Sequence, residues 1–535
     1  MLINSNKIDI WNKYCGFLDM SLTEYMSIQL TLLFKQIEVL SNCELGKRFI
    51  NNHKISTIDD FKKYIPLTSY IDYADMLNDK REDVLPEKPA FWIETTWEGG
   101  IHPSKYAPYS QIMMDINTRY CVGALLMSTA KEKYDFSVKK KDKLFFGMAT
   151  LPYFTGLTPY GLQREITLEY LPDIEQAEQL GFRERTLKGF SLGLQKGIDH
   201  AIGLSSVLVK IGESFSKAGD KKKDNKDNKD NKKKIEIDFK KCSWTMGTRL
   251  FKAFLLKKLF KRKMLPKDIW QMKGILCGGT DSFAFKDRVE GLWGIRPLEI
   301  YAGTEISIVG IESWKRNGMT LIPDLNFYEF IKEDDSTRSM LDPAFLPPTL
   351  LINQVEEGQH YEIVITNLQK GIFIRYRVGD MVKCISNEEG QLPQFIYVDR
   401  IAHVIDIAGF TRLTQRTFQA AFDKSGLPRC NWVAYKEYDS SYMPYVCVLL
   451  EFETENNLDQ TTVKESLRKR LNEVDSDFKS IHDLLEADPL KLNLLKIGAF
   501  DNLNKKGMTY HAINPGSRII NELNNFKKDN ENRKL

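Results

Sequence analysis

This chain has few sulfur or imidazole groups with which to build a cross-linked or metal-held framework. Its eight cysteines (15, 43, 121, 242, 277, 384, 430 and 447) are scattered with no Cys-x-x-Cys pair, and its seven histidines include no His-x-x-x-His. Neither a disulfide scaffold nor a zinc site is indicated. No run of eighteen apolar residues occurs, which argues against a helical membrane span. The first residues, Met1-Leu-Ile-Asn-Ser-Asn-Lys-Ile-Asp-Ile-Trp11, mix polar and apolar side chains too early for a secretory leader. A soluble protein of a reducing, cytoplasmic compartment is therefore expected. A dominant charge is missing too. The formal net charge is +4, but Lys217 to Lys234 alone holds nine Lys against four Asp, so the remainder sits at −1. A basic tract on a near-neutral body does not make a nucleic-acid-binding protein.

What the chain does have is length and apolar mass. At 535 residues, 42% hydrophobic, with 30 Phe, 22 Tyr and 8 Trp, it can build a large interior spread over two or three domains. The tract Lys217–Lys234 repeats Lys-Asp-Asn and contains no apolar residue except Ala218, so it reads as a disordered surface insertion. Nucleic-acid or anionic-membrane binding is the sharper alternative for it; its interspersed Asp residues and lack of aromatics weigh against that.

The organising stretch is Tyr301-Ala302-Gly303-Thr304-Glu305. It follows the alternating Ile295–Ile300 segment and reads as a loop at the carboxyl end of a half-buried strand, which is where open α/β sheets bind ligands. A ring to stack on a base, a glycine for close backbone approach, a hydroxyl for a phosphate oxygen and a carboxylate for Mg²⁺ stand within five residues. An ordinary strand-to-helix turn is the plain alternative. In order around it come Trp92 to Pro108, with Thr95, Thr96, Gly99, Gly100, Ser104 and Lys105; Cys277-Gly278-Gly279-Thr280-Asp281; Pro323 to Phe330; Tyr376-Arg-Val-Gly-Asp380; and Asp399-Arg400. The first of these is rich in hydroxyls and glycine and ends in Lys, as a triphosphate cradle requires. Trp97 and Glu98 depart from such a cradle, and a surface hairpin with a salt-bridging Lys105 uses the same residues otherwise.

This ordered series resembles the adenylate-forming superfamily, which includes acyl-CoA ligases and firefly luciferase. It looks most like the acyl-acid amido synthetases named for an auxin-responsive promoter, with phenylacetate-CoA ligases as near relatives. The resemblance covers roughly residues 55 to 425 and is specific as a set. It implies a large multi-layer α/β domain over 1–400 and a smaller mobile α/β lid over 401–535. It also implies MgATP-dependent activation of a carboxylic acid as acyl-AMP, with transfer to an amine or, with CoA, to a thiol. By resemblance Thr304 and Glu305 are catalytic, Glu305 holds Mg²⁺, Gly278, Gly279 and Thr280 pass along the adenine, Tyr301 and Gly303 line the nucleotide, Asp380 accepts the ribose hydroxyls and Arg400 touches ribose or phosphate. The family's lid lysine has no clean counterpart: Asn514 stands near Pro515 and Arg518 where it is sought, and Lys505 and Lys506 are the nearest substitutes, so Lys506 is assigned to it. A nucleotide- or acyl-adenylate-binding protein without catalysis is the reading from another class. An Arg377–Asp380 turn salt bridge is the alternative use of Asp380.

Local patterns add element expectations. Met26 to Leu40 is an amphipathic helix and Leu144–Ala149 a buried strand, beyond which the aromatics of Leu151–Gly161 either shape an apolar acid pocket or pack in the core; by resemblance Phe61–Tyr70 is the family's entry strand. Thr462-Val-Lys-Glu465 reads as a capping box opening a helix. Asp380 is placed just past the end of a strand carrying Phe373, Arg375 and Arg377 on one face.

Overall fold

A computed structural model of the chain describes residues 6–527 except 52, 96–103, 218–242, 261–263, 280–281, 343, 401–403, 408–410, 441–442, 486–487 and 509. The lysine-rich tract from 218 on, and the disorder expected of it, lies outside the described residues. The chain divides into two compact units, Met1–Thr95 with Lys105–Asp399, and a smaller one that takes in Ser104 and Arg400–Leu535.

In the large unit, short apolar runs bounded by Gly and polar residues become parallel strands. Glu169–Leu171, Lys143–Gly147, His200–Leu204, Gly274–Gly278 and Leu298–Gly303 lie side by side in that order. His200–Leu204 and Gly274–Gly278 are buried almost throughout, as expected of strands covered on both faces. Leu298–Gly303 is the turning point: it runs parallel to Gly274–Gly278 on one side and antiparallel to Ser307–Glu312 on the other. From there the sheet continues as mainly antiparallel strands to a total of twelve among the described residues. The fold is α/β, as expected.

The helix expected from Met26 runs Leu22–Ser41, with Ser21 and Glu24 closing a capping box. It packs on the strand Asn326–Lys332, where the buried Gln29 side chain donates to the Asn326 carbonyl at 2.7 Å and accepts from the Tyr328 N–H at 3.2 Å. That strand is buried from Asn326 to Ile331.

Three expectations are corrected. The entry strand is a helix over Ile58–Tyr64, because Thr57 and Asp60 form a capping box; only Thr68, beyond Pro66, makes a strand-like bridge, to Tyr376. The helix begun by Thr462 starts at Gln460, since Asp459 caps it by accepting from the Thr461 and Thr462 N–H groups. Asp380 lies within the strand Tyr376–Ser386, not beyond it. There Gly379 has φ +79° and the pairing with His360–Asn367 shifts register, a bulge that re-aims side chains. Arg375, at φ +44°, breaks the face it was expected to share with Phe373 and Arg377.

In the small unit, Cys430–Tyr438 pairs antiparallel with Pro444–Phe452, which pairs in parallel with Leu490–Leu494, a strand not anticipated. Val463, Leu467 and Leu471 of Gln460–Val474 are buried, and Thr414 caps Gln415–Asp423.

At the amino ends of the parallel strands sits a buried charge cluster. Asp142 accepts from His200 Nε2 at 2.9 Å, from the Lys139 N–H at 2.8 Å and from Lys273. Burial opposes ionisation of Asp142, but these three donors outweigh it and bring its pKa from 3.8 to about 2. A depressed carboxyl pKa adds stability that is present above about pH 4 and lost as pH falls through about 2. Asp142→Asn is therefore expected to lower unfolding stability by about 2 kcal/mol at pH 7. The gap from the unmutated protein should narrow as denaturation is repeated from pH 4 towards pH 2.5; a gap independent of pH would refute the assignment.

Candidate active site

The site forms where the sheet changes from parallel to antiparallel. Tyr301, Ala302 and Gly303 still belong to the strand, and the loop proper is Thr304–Ile306, which turns directly into Ser307–Glu312. The stretch is thus a hairpin turn, not the strand-to-helix turn considered as its plain alternative. Gly303 is needed for this turn itself: a Cβ there would stand 2.9 Å from Ile306 Cγ1. Ser307 takes φ +61°, a conformation that costs a non-glycine residue about 1 kcal/mol or more. Asn117 holds it there, its Oδ1 accepting from Ser307 Oγ at 2.8 Å and from the Ile308 N–H at 3.3 Å.

The three carbonyls of the loop are fixed from outside, that of Ile306 by Asn326 Nδ2 at 2.6 Å. Tyr109 Oη donates to the Thr304 oxygen at 2.7 Å, and Asn367 Nδ2 donates to the Glu305 oxygen at 3.1 Å. The Glu305 carboxylate is only 12% exposed, and its Oε1 accepts from Lys105 Nζ at 3.1 Å and from Tyr376 Oη at 3.0 Å. Lys105 stands at the foot of a hairpin whose strands are Phe91–Glu94 and Tyr106–Tyr109, with its N–H and carbonyl bonded to Thr95. Its ammonium lies 5.4 Å from the Tyr70 ring centroid. The hairpin and the salt bridge both exist, but the bridge closes on Glu305, two hundred positions away, instead of on the surface.

Beside this pair, Tyr301 Oη donates to Asp380 Oδ2 at 2.6 Å, with both residues buried, and the Tyr301 ring packs 5.6 Å from that of Tyr397. Arg377 does not pair with Asp380. It forms a two-pronged bond to Glu362 at 2.7 and 2.6 Å, so the turn salt bridge considered for Asp380 is not made. Behind the strand, Lys286 lies between Glu299, at 3.0 Å, and Glu312, all three buried. Burial raises the Glu299 pKa, opposed by Lys286.

Gly278 ends its strand and Gly279 follows at φ +111°, a conformation that favours glycine. A Cβ at Gly278 would meet the Ile300 carbonyl at an ordinary 3.6 Å. Of the remaining expected residues, Thr96, Gly99, Gly100 and Thr280, and with them Trp97 and Glu98, lie outside the described residues; Ser104 is half-buried just before Lys105. Arg400 belongs to the small unit. Lys506 caps the helix Ala499–Lys505 and pairs with Glu522 at 2.7 Å. Asn514, at φ +46°, donates its amide to the Val404 carbonyl at 3.0 Å.

The motif reading missed Tyr109, Asn117 and Asn367, which act through loop carbonyls and a strained serine and leave no local pattern. Tyr376 stood inside a quoted motif but received no role. Next to Asn117, a small cavity is lined by Met114, Cys121, Phe154, Leu157 and Tyr160, taking in part of the aromatic stretch expected to shape a pocket.

The donor set suits a magnesium nucleotide better than a self-contained metal centre. No group of three or more His, Cys, Asp or Glu side chains placed to hold a metal ion occurs among the described residues. One carboxylate near hydroxyls and a lysine is what Mg²⁺ uses when phosphates and water supply its other ligands.

Residues 16–160 match the GH3 family N-terminal domain and residues 319–400 the GH3 family central domain. No curated protein sequence matches the chain. Among solved structures, the acyl acid amido synthetase AtGH3.15 in complex with 2,4-DB is similar at a TM-score of 0.53 and 14% identity, over 98% of this chain and 97% of that one. The 2-hydroxyisobutyryl-CoA ligase with 2-HIB-AMP and CoA is similar at 0.54 and 13%, over 88% and 86%. At these identities the likeness concerns the fold.

Proposed function

We propose that this chain, which carries the N-terminal and central domains of the GH3 family, is an enzyme that activates a carboxylic acid with ATP and passes the acyl group to an amino acid or other amine. The observation that carries this reading is the meeting of Lys105 and Glu305 at 3.1 Å beside the Tyr301–Asp380 pair, at the carboxyl end of the strand where the sheet changes direction.

In this reading the substrate carboxylate attacks the α-phosphorus of ATP and pyrophosphate leaves; the amine then attacks the acyl carbon and AMP departs. No covalent enzyme intermediate is needed. Asp380 would accept from the ribose, Tyr301 and the Gly278-Gly279 turn would border the base, and Thr304 and Lys105 would meet phosphate charge. Glu305 would hold Mg²⁺, which when bound neutralises the phosphates and assists release of pyrophosphate. The cavity beside Phe154 and Tyr160 would take the acid. Residues 401–535 would act as the lid, bringing Lys506 to the nucleotide, Arg400 at the hinge would touch ribose or phosphate, and the protein would work in the cytoplasm. A thiol acceptor, CoA, is the second reading, favoured by the fold likeness to the 2-hydroxyisobutyryl-CoA ligase.

The test is acid-dependent ATP–pyrophosphate exchange over a broad panel of carboxylic acids, followed by mass analysis of products formed with amino acids or with CoA. Exchange with at least one acid is expected, and an amide product with an amino acid. No exchange with any acid, while ATP still binds, would leave the non-catalytic nucleotide-binding reading standing in its place.

A further inference from the structure

The helix Trp244–Phe260 carries an apolar face turned to solvent. Trp244 is 89% exposed, Leu259 72%, Phe251 65% and Phe254 62%, with Leu255 also exposed. These five account for more than a third of the large exposed hydrophobic side chains among the described residues. By helical spacing Trp244, Phe251, Leu255 and Leu259 fall on the side opposite Met246, Leu250 and Ala253, which are buried, and Phe254 lies on the flank between. The helix is thus fixed to the body by one face and presents a second apolar face outwards. Monomeric proteins rarely leave so many large apolar side chains together in water.

Charge selects the occupant. Lys252 and Lys258 are exposed on the same helix, Arg249 is half-buried beside them, and the helix contains no Asp or Glu. The adjoining sequence adds Lys240-Lys241 before it and Lys261-Arg262-Lys263 after it. Aromatic and aliphatic side chains flanked by lysines, without acidic residues, are the composition of helices that lie in the plane of an anionic lipid surface. A protein partner that wraps a basic amphipathic helix would have to reach Met246, Leu250 and Ala253, which the body already covers. A flat surface needs only the outward face.

We propose that the outward face of Trp244–Phe260 docks this protein on an anionic lipid surface, with Phe251, Phe254, Leu255 and Leu259 entering the interface and Lys252 and Lys258 meeting the headgroups. The helix lies on the membrane and does not cross it; no helix among the described residues is long and apolar enough to span a bilayer. The inference stands independently of the adenylation reading.

The experiment is co-sedimentation of the full-length protein with phosphatidylcholine vesicles, with and without phosphatidylserine, at low and high salt. The expected result is binding to the phosphatidylserine vesicles that weakens with salt. Phe251→Asp/Leu259→Asp should lower the partition coefficient by at least roughly tenfold, since two exposed apolar groups lose their burial, and Lys252→Glu/Lys258→Glu should weaken binding to the anionic vesicles only. Both variants should melt with the unmutated protein, because the altered side chains are exposed. No binding to anionic vesicles at low salt, or equal binding by Phe251→Asp/Leu259→Asp, would overturn the proposal. So would an oligomer that this variant converts to monomer, which would give the face to a second copy. Binding to single-stranded RNA that survives the variant, with vesicles ignored, would give the charge to nucleic acid and equally overturn it.

Discussion

Glu305→Gln is expected to reduce acid-dependent pyrophosphate exchange by at least roughly a hundredfold, on the order of 3 kcal/mol of transition-state stabilisation. The substitution keeps the size of the side chain and its ability to accept from Tyr376 Oη and Lys105 Nζ, which now share Oε1 at 3.0 and 3.1 Å. What it removes is the charge that would recruit Mg²⁺. It also removes the Glu305 charge from Lys105, whose side chain is 19% exposed, so some loss of stability is expected as well. The two effects separate by control. Tyr376→Phe takes one hydrogen bond from the same oxygen and leaves the charge, which is worth about 1 kcal/mol and should slow exchange roughly tenfold or less. Across a Mg²⁺ titration, Glu305→Gln should move the midpoint to higher metal while Tyr376→Phe leaves it in place. If Glu305 serves only to pair with Lys105, melting temperature will fall and the Mg²⁺ midpoint will not move. Equal rates and equal midpoints in Glu305→Gln and the unmutated protein would sink the metal role.

Much of this site was legible in the sequence because its parts sit at strand ends, where motif and position coincide. Tyr301 to Glu305 and Gly278-Gly279 end neighbouring strands of the large sheet, while Lys105 precedes a strand of a separate two-stranded hairpin. The direct meeting of Lys105 with Glu305 was not legible, since nothing local in either loop specifies a partner two hundred residues away. Fold class followed from the ordered motif series and the resemblance it carries, and buried runs such as Gly274–Gly278 and helices like Leu22–Ser41 take their places in that α/β fold. The failures were of two kinds. At Phe61–Tyr64 the resemblance pointed to an entry strand, whereas the Thr57–Asp60 capping box makes the backbone a helix. At Asp380 the Val-Gly-Asp sequence looked like a strand end, whereas Gly379 makes a bulge and the strand continues to Ser386. Tyr109, Asn117 and Asn367 were invisible for another reason: a side chain that bonds to a distant backbone carbonyl obeys no spacing in its own neighbourhood.

Asp380→Ala is expected to weaken ATP binding by roughly tenfold to a thousandfold while the protein stays folded. A buried carboxylate bonded to a ribose contributes a few kcal/mol at most, and each 1.4 kcal/mol is a factor of ten in affinity. The bulge around Gly379 places this carboxylate beside Tyr301, whose hydroxyl already donates to Oδ2 at 2.6 Å. Truncating Asp380 therefore does two things: it removes the ribose acceptor, and it leaves the buried Tyr301 hydroxyl without that acceptor, at about 1–3 kcal/mol of stability. Tyr301→Phe removes the same internal hydrogen bond but keeps the carboxylate. If Asp380 serves the ribose, calorimetry should find ATP affinity in Tyr301→Phe within a few-fold of the unmutated protein and in Asp380→Ala far below it. A 2′,3′-dideoxy analogue of ATP should bind the unmutated protein and Asp380→Ala about equally, because it offers nothing for the carboxylate to accept. If Asp380 only anchors Tyr301, the two variants will lose stability together and bind ATP alike, and unchanged ATP affinity in Asp380→Ala would refute the ribose contact outright.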